Sequence, residues 1–403
     1  MKILFLNDFI PPRNFGGPGF RNFEVAKELA RRGNDVYFIT SCQNRAEEKE
    51  ETKAGIKIFN IYSNYPLKYR HYISVYNFRV LKKIKKIIKE LKPDVTHIDT
   101  VHTHLSYASV KIAKKYSKAV FLTSRDSMIF HYGKFFPKEK KCGELNYKTN
   151  WLEDLKIARK RYNPLRNIMI KHYLKYADKI FAISNDMARA LKQNGILNVE
   201  VLYNGLPLPA TEPIYLENNS KTIFFPGRTS YAKGIYALLD AFPLIKKEVP
   251  GAKVLIAGAM EEGEKEIARY MKKVSIDEED IKILGWLSNE EVHKIYDKIS
   301  VVATPSICAD FLLGVNLEAA AHKRPVVTTC FGGAKEFVLD GETGYVVNPY
   351  DKKELADKIT DILLDSDKAR RFGEASFKRL KEKFSIDIHV DKLLKFYHHF
   401  ITL

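Results

Sequence analysis

Two cations five positions apart, Arg228 and Lys233, follow a run of strand-forming residues at 222–226. The loop between them starts with Gly227, and a helical pattern begins at Gly234. Glycine lets a ligand approach the backbone closely, and the N-terminus of a helix favours anions. Arginine can hold a phosphate through two parallel hydrogen bonds, while lysine adds a point charge. The spacing therefore suits a diphosphate, although two solvated cations on an ordinary loop would give the same pattern.

Two acidic residues, Asp310 and Glu318, surround the start of another helix. A buried strand at 300–303 leads into the loop that carries Asp310, and the helix is expected to start near Gly314. Glu318 would then lie just past the first helical turn. One carboxylate could meet a sugar hydroxyl and the other a ribose. Alternatively, Asp310 helps to cap the helix and Glu318 interacts favourably with its dipole.

Strand-forming runs alternate with helical patterns along the whole chain. Most of the runs are apolar on both faces, which indicates parallel sheets covered by helices on both sides. This alternation is typical of βαβ units and of a doubly wound α/β fold. The strands are predicted at 2–7, 35–39, 56–60, 95–98, 119–123, 179–183, 199–202, 222–226, 253–257, 281–284, 300–303, 325–328 and 345–347. The helices are predicted near 20–33, 76–92, 106–117, 152–176, 234–249, 289–298, 351–364 and 367–383.

A segment rich in proline and polar residues separates the chain into two halves. Asn204-Gly205 is followed by three prolines before residue 214, and a new strand pattern starts after Ser220. We therefore predict two Rossmann-like doubly wound domains that face a central cleft, where ligands bind at the carboxyl ends of strands. The predicted boundaries are 1–205 for an acceptor domain, 206–220 for a linker, 221–385 for a donor domain and 386–403 for a helix that returns to the N-terminal domain.

The composition of the 403 residues excludes several classes of protein. Apolar residues make up 45% of the chain, which is enough for a sizeable core. No apolar run approaches the roughly 18–20 residues that span a membrane. The four cysteines are far apart and form no C-x-x-C pair, so we expect neither a disulfide framework nor a cysteine zinc site, and a reducing compartment fits. They are Cys42, Cys142, Cys308 and Cys330.

The excess of positive over negative charge is confined to the first half of the chain. Residues 1–200 hold 39 Lys and Arg against 19 Asp and Glu, a net +20, whereas residues 201–403 hold 28 against 30, a net −2. Tyrosines and lysines cluster at 62–92, and 128–172 is a long insertion rich in aromatic and basic residues. We interpret the insertion as an acceptor-binding segment or a lid. The excess of positive charge suits an anionic membrane surface, but solvated lysines on an ordinary helix would also explain the first cluster.

In addition, the chain resembles the retaining family 4 glycosyltransferases, which have the GT-B fold. The spaced acids Asp310 and Glu318 fit that family's E-x7-E motif. The resemblance covers almost the whole chain, with many motifs in the family's order. The other matching stretches are Gly16-Gly17-Pro18-Gly19, Ile183-Ser184-Asn185, Leu202-Tyr203-Asn204-Gly205, Gly227-Arg228, Lys233-Gly234, Ala257-Gly258, Leu284-Gly285-Trp286, Gly332-Gly333-Ala334-Lys335-Glu336 and Asp340-Gly341-Glu342-Thr343-Gly344.

The resemblance implies a site for a sugar nucleotide in the C-terminal domain. Arg228 and Lys233 would grip the diphosphate and stabilise the departing charge, a form of electrostatic catalysis. Asp310 would contact the donor sugar, and Glu318 the ribose. The family needs no metal or other cofactor, and UDP-sugars are its commonest donors. The remaining residues that the resemblance assigns to substrate binding are Gly16, Gly17, Arg125, Asp126, Asn204, Gly227, Trp286, Leu287, Gly314 and Val315.

Two departures from the family pattern bear on these roles. The first acid of the motif is usually glutamate, whereas Asp310 is one methylene shorter. The family often has His-Asp where this chain has Arg125-Asp126, and an arginine cannot act as a neutral base. Three other histidines lie near a strand end that could face the cleft, and either a structural or a catalytic role is open to them. They are His97, His102 and His104.

The predicted function is sugar transfer from a nucleoside-diphosphate sugar to an acceptor hydroxyl, with retention of the anomeric configuration. The acceptor would be a sugar, a lipid-linked sugar or a small metabolite. We expect a cytoplasmic protein, with attachment to the inner face of the cell membrane as an alternative. A non-catalytic sugar-nucleotide binder and a nucleic-acid-binding protein are the competing functions. No nucleic-acid recognition motif occurs in the sequence, so nucleic acid is not an expected partner.

Overall fold

The computed structural model describes residues 1–13, 17–215, 220–261 and 263–402, so the predicted site residue Gly16 lies outside the described residues. The chain divides into two compact units. The first contains Met1–Phe135, Asn146–Pro207 and Ile386–Leu403, and the second contains Phe136–Leu145 and Leu208–Ser385. Each unit is built on a mainly parallel sheet whose central strands are buried. The prediction of two doubly wound α/β units is confirmed.

The first unit has an eight-stranded sheet in the order β3-β4-β2-β1-β5-β6-β7-β8. All neighbours are parallel except β3 and β4. The strands are β1 (Lys2–Leu6), β2 (Asp35–Cys42), β3 (Glu50–Lys53), β4 (Ile56–Tyr62), β5 (Val95–Ile98), β6 (Ala119–Ser124), β7 (Lys179–Ala182) and β8 (Val199–Val201). The helices are α1 (Gly17–Arg31), α2 (Arg70–Ile73), α3 (Phe78–Leu91), α4 (Ser109–Tyr116), α5 (Trp151–Ala158), α6 (Arg166–Leu174) and α7 (Asn185–Gln193).

The second unit has a six-stranded parallel sheet in the order β11-β10-β9-β12-β13-β14. Its strands are β9 (Thr222–Pro226), β10 (Lys253–Ala257), β11 (Ile281–Gly285), β12 (Val301–Thr304), β13 (Val326–Thr329) and β14 (Gly344–Val347). Its helices are α8 (Ile235–Glu248), α9 (Glu264–Lys273), α10 (Asn289–Tyr296), α11 (Gly314–Ala321), α12 (Lys352–Leu364) and α13 (Ser366–Lys383).

All thirteen predicted strands are present, and the differences lie in polar or interrupted segments. The missed strand β3 has the sequence EETK and pairs only at the sheet edge, so it carries no apolar pattern. Three of the described helices were not predicted: α2, which has only four residues, and α7 and α9, which are largely polar on their outer faces. The prediction of a single helix near 152–176 is wrong. α5 ends at Ala158, because the next residue, Arg159, has a positive φ of 49° that does not continue a helix. α6 begins only at Arg166, after Pro164, whose missing N–H does not suit a helix interior.

The C-terminal helix α14 (Ile386–Thr402) belongs to the first unit, as predicted. Its buried face includes Val390, Leu393 and Tyr397, which join the core under β1, β5 and β6. The hydroxyl of Tyr397 lies 2.5 Å from Nδ1 of the buried His97. A helix near the end of the chain therefore completes the hydrophobic core that the first strand begins.

The expectation that the cysteines form no disulfide is wrong. Cys142 and Cys330 are bonded across 188 positions, with their Cα atoms 5.5 Å apart. Cys142 lies in the segment Phe136–Leu145, which leaves the first unit and packs on the second, while Cys330 follows β13. Sequence spacing could not reveal this pair because the two residues become neighbours only when the insertion reaches the second sheet.

Candidate functional site

Lys233 and Asp310 form an ion pair at the carboxyl edge of the second unit's sheet. Lys233 lies in the loop after β9, and Asp310 lies in the loop after β12. The lysine Nζ donates to Oδ1 of Asp310 at 2.7 Å and to Oδ2 at 2.8 Å. Burial lowers the pKa of Lys233, but the charges of Asp310 and Cys308 and the hydrogen bond to Asp310 outweigh it, so the net pKa is raised. The lysine is therefore held in its charged form.

Two glycines permit the close packing of the loops around this ion pair. Gly234 has φ 80°, and a Cβ at that position would overlap the carbonyl oxygen of Pro305. Gly332 has φ 84°, and a Cβ there would overlap the backbone of Asp310. The amide of Gly333 donates to the Asp310 carbonyl at 2.8 Å. The loops after β9, β12 and β13 are thus fixed backbone to backbone, which places the Asp310 side chain.

Arg228 lies in the same loop as Lys233 but is more open to solvent. Its Nη1 is 2.5 Å from Oε1 of Glu261, and the two side chains are 44% and 39% exposed. An ion pair this exposed contributes little to stability because water screens both charges. The guanidinium therefore remains accessible to a ligand anion.

The predicted residues Gly227, Trp286 and Leu287 lie on neighbouring loops of the same edge. The amide of Gly227 donates to the last residue of β10 at 2.7 Å, and the amide of Gly258 donates to the last residue of β11 at 2.7 Å. Trp286 and Leu287 follow β11 directly, and the Trp286 side chain is 57% exposed. The loops after β9, β10 and β11 are therefore joined in series by backbone hydrogen bonds.

The helix α11 begins with Gly314 and Val315 and carries Glu318, all of which are partly buried. Its N-cap is Leu313, and no side chain caps it, so the alternative in which Asp310 caps this helix is wrong. Asp310 is instead the partner of Lys233.

A buried polar triad that the sequence analysis missed anchors α11 to the sheet. Asn316, which is fully buried, accepts from Thr304 Oγ1 at 3.0 Å and donates to Thr328 Oγ1 at 3.1 Å. The two threonine hydroxyls are 2.9 Å apart. Buried polar groups must be hydrogen-bonded, so the triad sets the position of α11 over β12 and β13. An asparagine in an otherwise apolar stretch was the available signal.

The predicted residues Arg125 and Asn204 are in contact in the first unit. Arg125 Nε donates to Oδ2 of Asp99 at 2.7 Å, and its Nη1 donates to Oδ1 of Asn204. The side chains of Arg125 and Asp99 are 6% and 0% exposed. Burial raises the pKa of Asp99, while the Arg125 charge opposes that rise. The three residues follow β5, β6 and β8, and sequence reasoning did not identify Asp99 although it follows a buried strand.

A second missed residue, Asp8, organises the loop after β5. Its buried carboxylate accepts from the backbone amides of Thr103, His104 and Leu105 at 2.7–2.8 Å. Three such hydrogen bonds fix the loop above the carboxyl end of β1. The pair Asn7-Asp8 directly after the first apolar run was the signal for this role.

The predicted residue Asp126 caps a short 3₁₀ turn after β6. Its side chain accepts from the amide of Met128 at 2.9 Å, and its Oδ2 lies 3.8 Å from Nε2 of His102. Burial lowers the pKa of His102, although Asp126 raises it. His102 is therefore a neutral imidazole close to a carboxylate at this strand edge. Gly17, the first residue of α1, is exposed.

The other two histidines have structural partners. Nδ1 and Nε2 of His97 contact Tyr397 and Thr123, and burial holds the pKa of His97 well below its ordinary value. Nδ1 of His104 lies 3.0 Å from the Ser63 hydroxyl, and burial lowers its pKa. Both ring nitrogens of His97 are occupied, which favours the structural alternative for that residue.

The structure thus places Gly17, Arg125, Asp126 and Asn204 in the first unit. It brings the other described site residues to one edge of the sheet in the second unit. Within the described ranges, no three His, Cys, Asp or Glu side chains are grouped as metal ligands, so no residue is assigned to a metal.

Comparison with known proteins connects both units with sugar transfer. Residues 15–208 match the family described as Glycosyltransferase Family 4, and residues 210–379 match Glycosyl transferases group 1. Glycogen synthase from Mycobacterium tuberculosis is 22% identical over 408 aligned residues, covering 95% of this chain and 91% of that protein.

Solved structures share the architecture. Sucrose-phosphate synthase from Thermosynechococcus elongatus has a TM-score of 0.78 at 17% identity, covering 99% of both chains. The Anabaena protein HepE in complex with UDP-glucose has a TM-score of 0.69 at 18% identity, covering 99% of this chain and 100% of that one. These likenesses confirm the predicted GT-B fold.

Replacing Gly332 with alanine is expected to destabilise the second unit and displace Asp310. The residue has positive φ, which costs a non-glycine residue roughly 1–2 kcal/mol. The new Cβ would also overlap the Asp310 backbone, which cannot move without breaking its bond to Gly333. Chemical denaturation of the variant would measure the loss.

Gly341→Ala is the matched control, because Gly341 has a similar φ of 73° but an open surrounding. Apart from its chain neighbours, no atom of the described residues lies within 4 Å of the position that a Cβ would take there. The stability of this variant should fall only by the amount that a positive φ costs a non-glycine residue. Equal losses in the two variants would show that the contact at Asp310 is not tight.

Proposed function

Because this chain belongs to the family 4 glycosyltransferases, we propose that it transfers a sugar from a nucleoside-diphosphate sugar to an acceptor hydroxyl with retention of the anomeric configuration. The observation that carries the proposal is the Lys233–Asp310 pair, held at the carboxyl edge of the second sheet beside Arg228. A cation placed there can meet the diphosphate, and an acid can meet the sugar attached to it.

Lys233 and Arg228 supply the electrostatic part of the reaction. When the bond between the anomeric carbon and the diphosphate oxygen breaks, negative charge develops on the departing diphosphate. A positioned cation stabilises that charge without reorganising at the moment of reaction. Asp310 supports this role because it raises the pKa of Lys233 and fixes its direction. The new bond forms between the anomeric carbon and the acceptor oxygen, and the acceptor's proton passes to the departing diphosphate.

A UDP-sugar is the proposed donor. Structures of HepE hold UDP or UDP-glucose, and they share this chain's fold over nearly its full length. The partly buried Glu318 on α11 is proposed to bind the ribose, and Asp310 the donor sugar. No metal is proposed, because Arg228 and Lys233 would already supply two positive charges to the diphosphate.

The acceptor is proposed to be lipid-linked or anionic, and the first unit to bind an anionic membrane surface. In α3, the side chains of Val80, Ile84 and Ile88 are buried, while four lysines between them are exposed. No helix in the described ranges is long and apolar enough to cross a bilayer. The exposed lysines would therefore contact the lipid headgroups from outside.

Lys233→Ala should lower turnover of a UDP-sugar by orders of magnitude. Losing one preorganised partner of a developing charge costs about 3–4 kcal/mol of barrier. The measurement is the release of UDP at saturating donor, together with the thermal unfolding of the variant.

Lys246→Ala is the matched control, because it removes another lysine–aspartate pair of the second unit, with Asp280 at 2.5 Å. It should keep near wild-type turnover. A Lys233→Ala enzyme that also kept wild-type turnover would contradict the assignment.

Asp310→Asn and Glu318→Gln are expected to affect different parts of the donor. Glu318→Gln should weaken binding of both UDP and the UDP-sugar, since both contain the ribose. Asp310→Asn should weaken binding of the UDP-sugar more than binding of UDP, since only the UDP-sugar carries the donor sugar. Calorimetric titration of each variant with each ligand separates the roles. Equal losses for both ligands in both variants would remove the distinction.

Peripheral attachment predicts binding to anionic but not to neutral vesicles. Each lysine near an anionic surface contributes roughly 1 kcal/mol, and salt should weaken the binding because exposed charges are screened. Sedimentation with vesicles measures this binding, and changing the α3 lysines to glutamine should reduce the bound fraction. These lysines are Lys82, Lys83, Lys85 and Lys86.

A control variant removes four exposed lysines of the second unit and should bind vesicles like the wild type. They are Lys247, Lys253, Lys265 and Lys378. Negligible binding of the wild type to both vesicle types would leave the charge without a membrane role and would favour a soluble acceptor.

A further inference from the structure

An open cavity of about 460 Å³ lies at the surface of the first unit, between the insertion helices and the end of α7. Phe130 and Tyr132 are buried in its wall, and Trp151, the first residue of α5, is 63% exposed. Ile168 of α6 and Gln193 of α7 also line it. Its volume lies within the range of roughly 300–1,000 Å³ in which small-molecule sites fall.

This cavity is separate from the strand edge that carries Arg125 and Asp99. It shares no lining residue with the small cavity at that edge. Gln193 ends α7, a nine-residue helix that starts directly after the carboxyl end of β7. At about 1.5 Å per residue, the Gln193 end lies roughly 13 Å along the helix from the strand edge.

Five side-chain nitrogen donors in the cavity wall, all on exposed residues, have no protein partner among the residues that the structure describes. The side-chain oxygen Oδ1 of Asn150 accepts from the backbone amide of Glu153, and Oε1 of Gln193 accepts from the backbone amide of Tyr147. The side-chain NH₂ groups of both residues are left for a ligand. The other donors are an indole N–H and two ammonium groups. The five residues are Lys148, Asn150, Trp151, Lys171 and Gln193.

The carboxylate in the wall, by contrast, is already engaged. Asp154 is buried, and its two oxygens contact Nδ1 of His131 at 2.9 Å and Nδ2 of Asn167 at 3.0 Å. The oxygen of Asn194 accepts from Thr149. The wall therefore offers donors and positive charge, with aromatic rings beside them, and suits a ligand rich in acceptors that carries a negative charge.

From this arrangement we infer that the cavity is a second saccharide site, which binds a sugar bearing a carboxylate or a phosphate. The C–H face of a sugar ring packs on Trp151, its oxygens accept from the amides, and its anionic group meets Lys148 and Lys171. The choice of a saccharide rests on the proposed sugar transfer, but binding here needs neither donor nor catalysis. The site would hold an acidic sugar unit of the acceptor, away from the acceptor's reacting hydroxyl.

Tryptophan fluorescence gives a direct test, because the chain has only two tryptophans, Trp151 and Trp286. In a Trp286→Phe protein, emission reports Trp151 alone. The probes are glucuronic acid, glucose 6-phosphate, glucose and inorganic phosphate, titrated without a sugar nucleotide. The two charged sugars should shift the emission to shorter wavelength, and should bind about tenfold or more tightly than glucose, since hydrogen bonds to charged groups are worth roughly 1.5–3 kcal/mol.

The double variant Lys148→Gln/Lys171→Gln should bind the charged sugars no better than glucose. Lys247→Gln/Lys378→Gln removes the same charge from exposed positions of the second unit and should leave the affinity unchanged. Turnover of the UDP-sugar with a small neutral acceptor, measured in parallel, should be unaffected by Lys148→Gln/Lys171→Gln. If Lys148→Gln/Lys171→Gln lost that turnover but still bound the charged sugars, the two lysines would act in the proposed sugar transfer. The second site would then not be separate from the transfer site.

Three results would overturn the second site. The first is the absence of any Trp151 response to the charged sugars. The second is equal affinity for glucose and the charged sugars, which would remove the role of the lysines. The third is equal affinity for inorganic phosphate and glucose 6-phosphate, which would reduce the cavity to a site for anions alone.

Discussion

Burial of parallel strands on both faces is the constraint on which both units depend. Such strands must be connected by helices that cross the sheet, so every connection leaves the carboxyl edge as a loop. In the second unit, the loops after β9, β12 and β13 deliver Lys233, Asp310 and Gly332 to that edge. In the first unit, the same rule gathers Asp99 and Arg125. The site residues are scattered in sequence because the topology alone assembles them.

Buried charges at these edges are tolerated because each has a partner. Removing a charge from water costs several kcal/mol, and only good geometry with further hydrogen bonds offsets it. Arg125 donates from Nε to Asp99 and from Nη1 to Asn204, and its side chain is only 6% exposed. Lys233 and Asp310 are 21% and 19% exposed, so a ligand can still reach them. The Arg125–Asp99 pair is therefore largely shielded from solvent, whereas the Lys233–Asp310 pair is accessible to it.

The insertion at 128–172 serves two purposes that its composition does not distinguish. The part at Phe136–Leu145 packs on the second unit, where Cys142 is bonded to Cys330 and the Lys140 carbonyl accepts from Asn348 at 2.9 Å. The remainder forms α5 and α6 and closes the cavity beside α7. An aromatic and basic segment of this length is consistent with a lid, an acceptor site or a covering layer, and only its contacts separate these roles.

The sequence by itself determined the doubly wound pattern, the strands and the loops that carry the donor-site candidates. It could do so because apolar runs, glycines and helix starts are local signals that neighbouring residues create. The tertiary structure decided which side chains meet. Asp8 holding the loop after β5, Asn316 bridging Thr304 and Thr328, and Asp99 facing Arg125 all depend on contacts between distant segments. The disulfide and the cavity belong to the same class, because no spacing along the chain measures a distance in space.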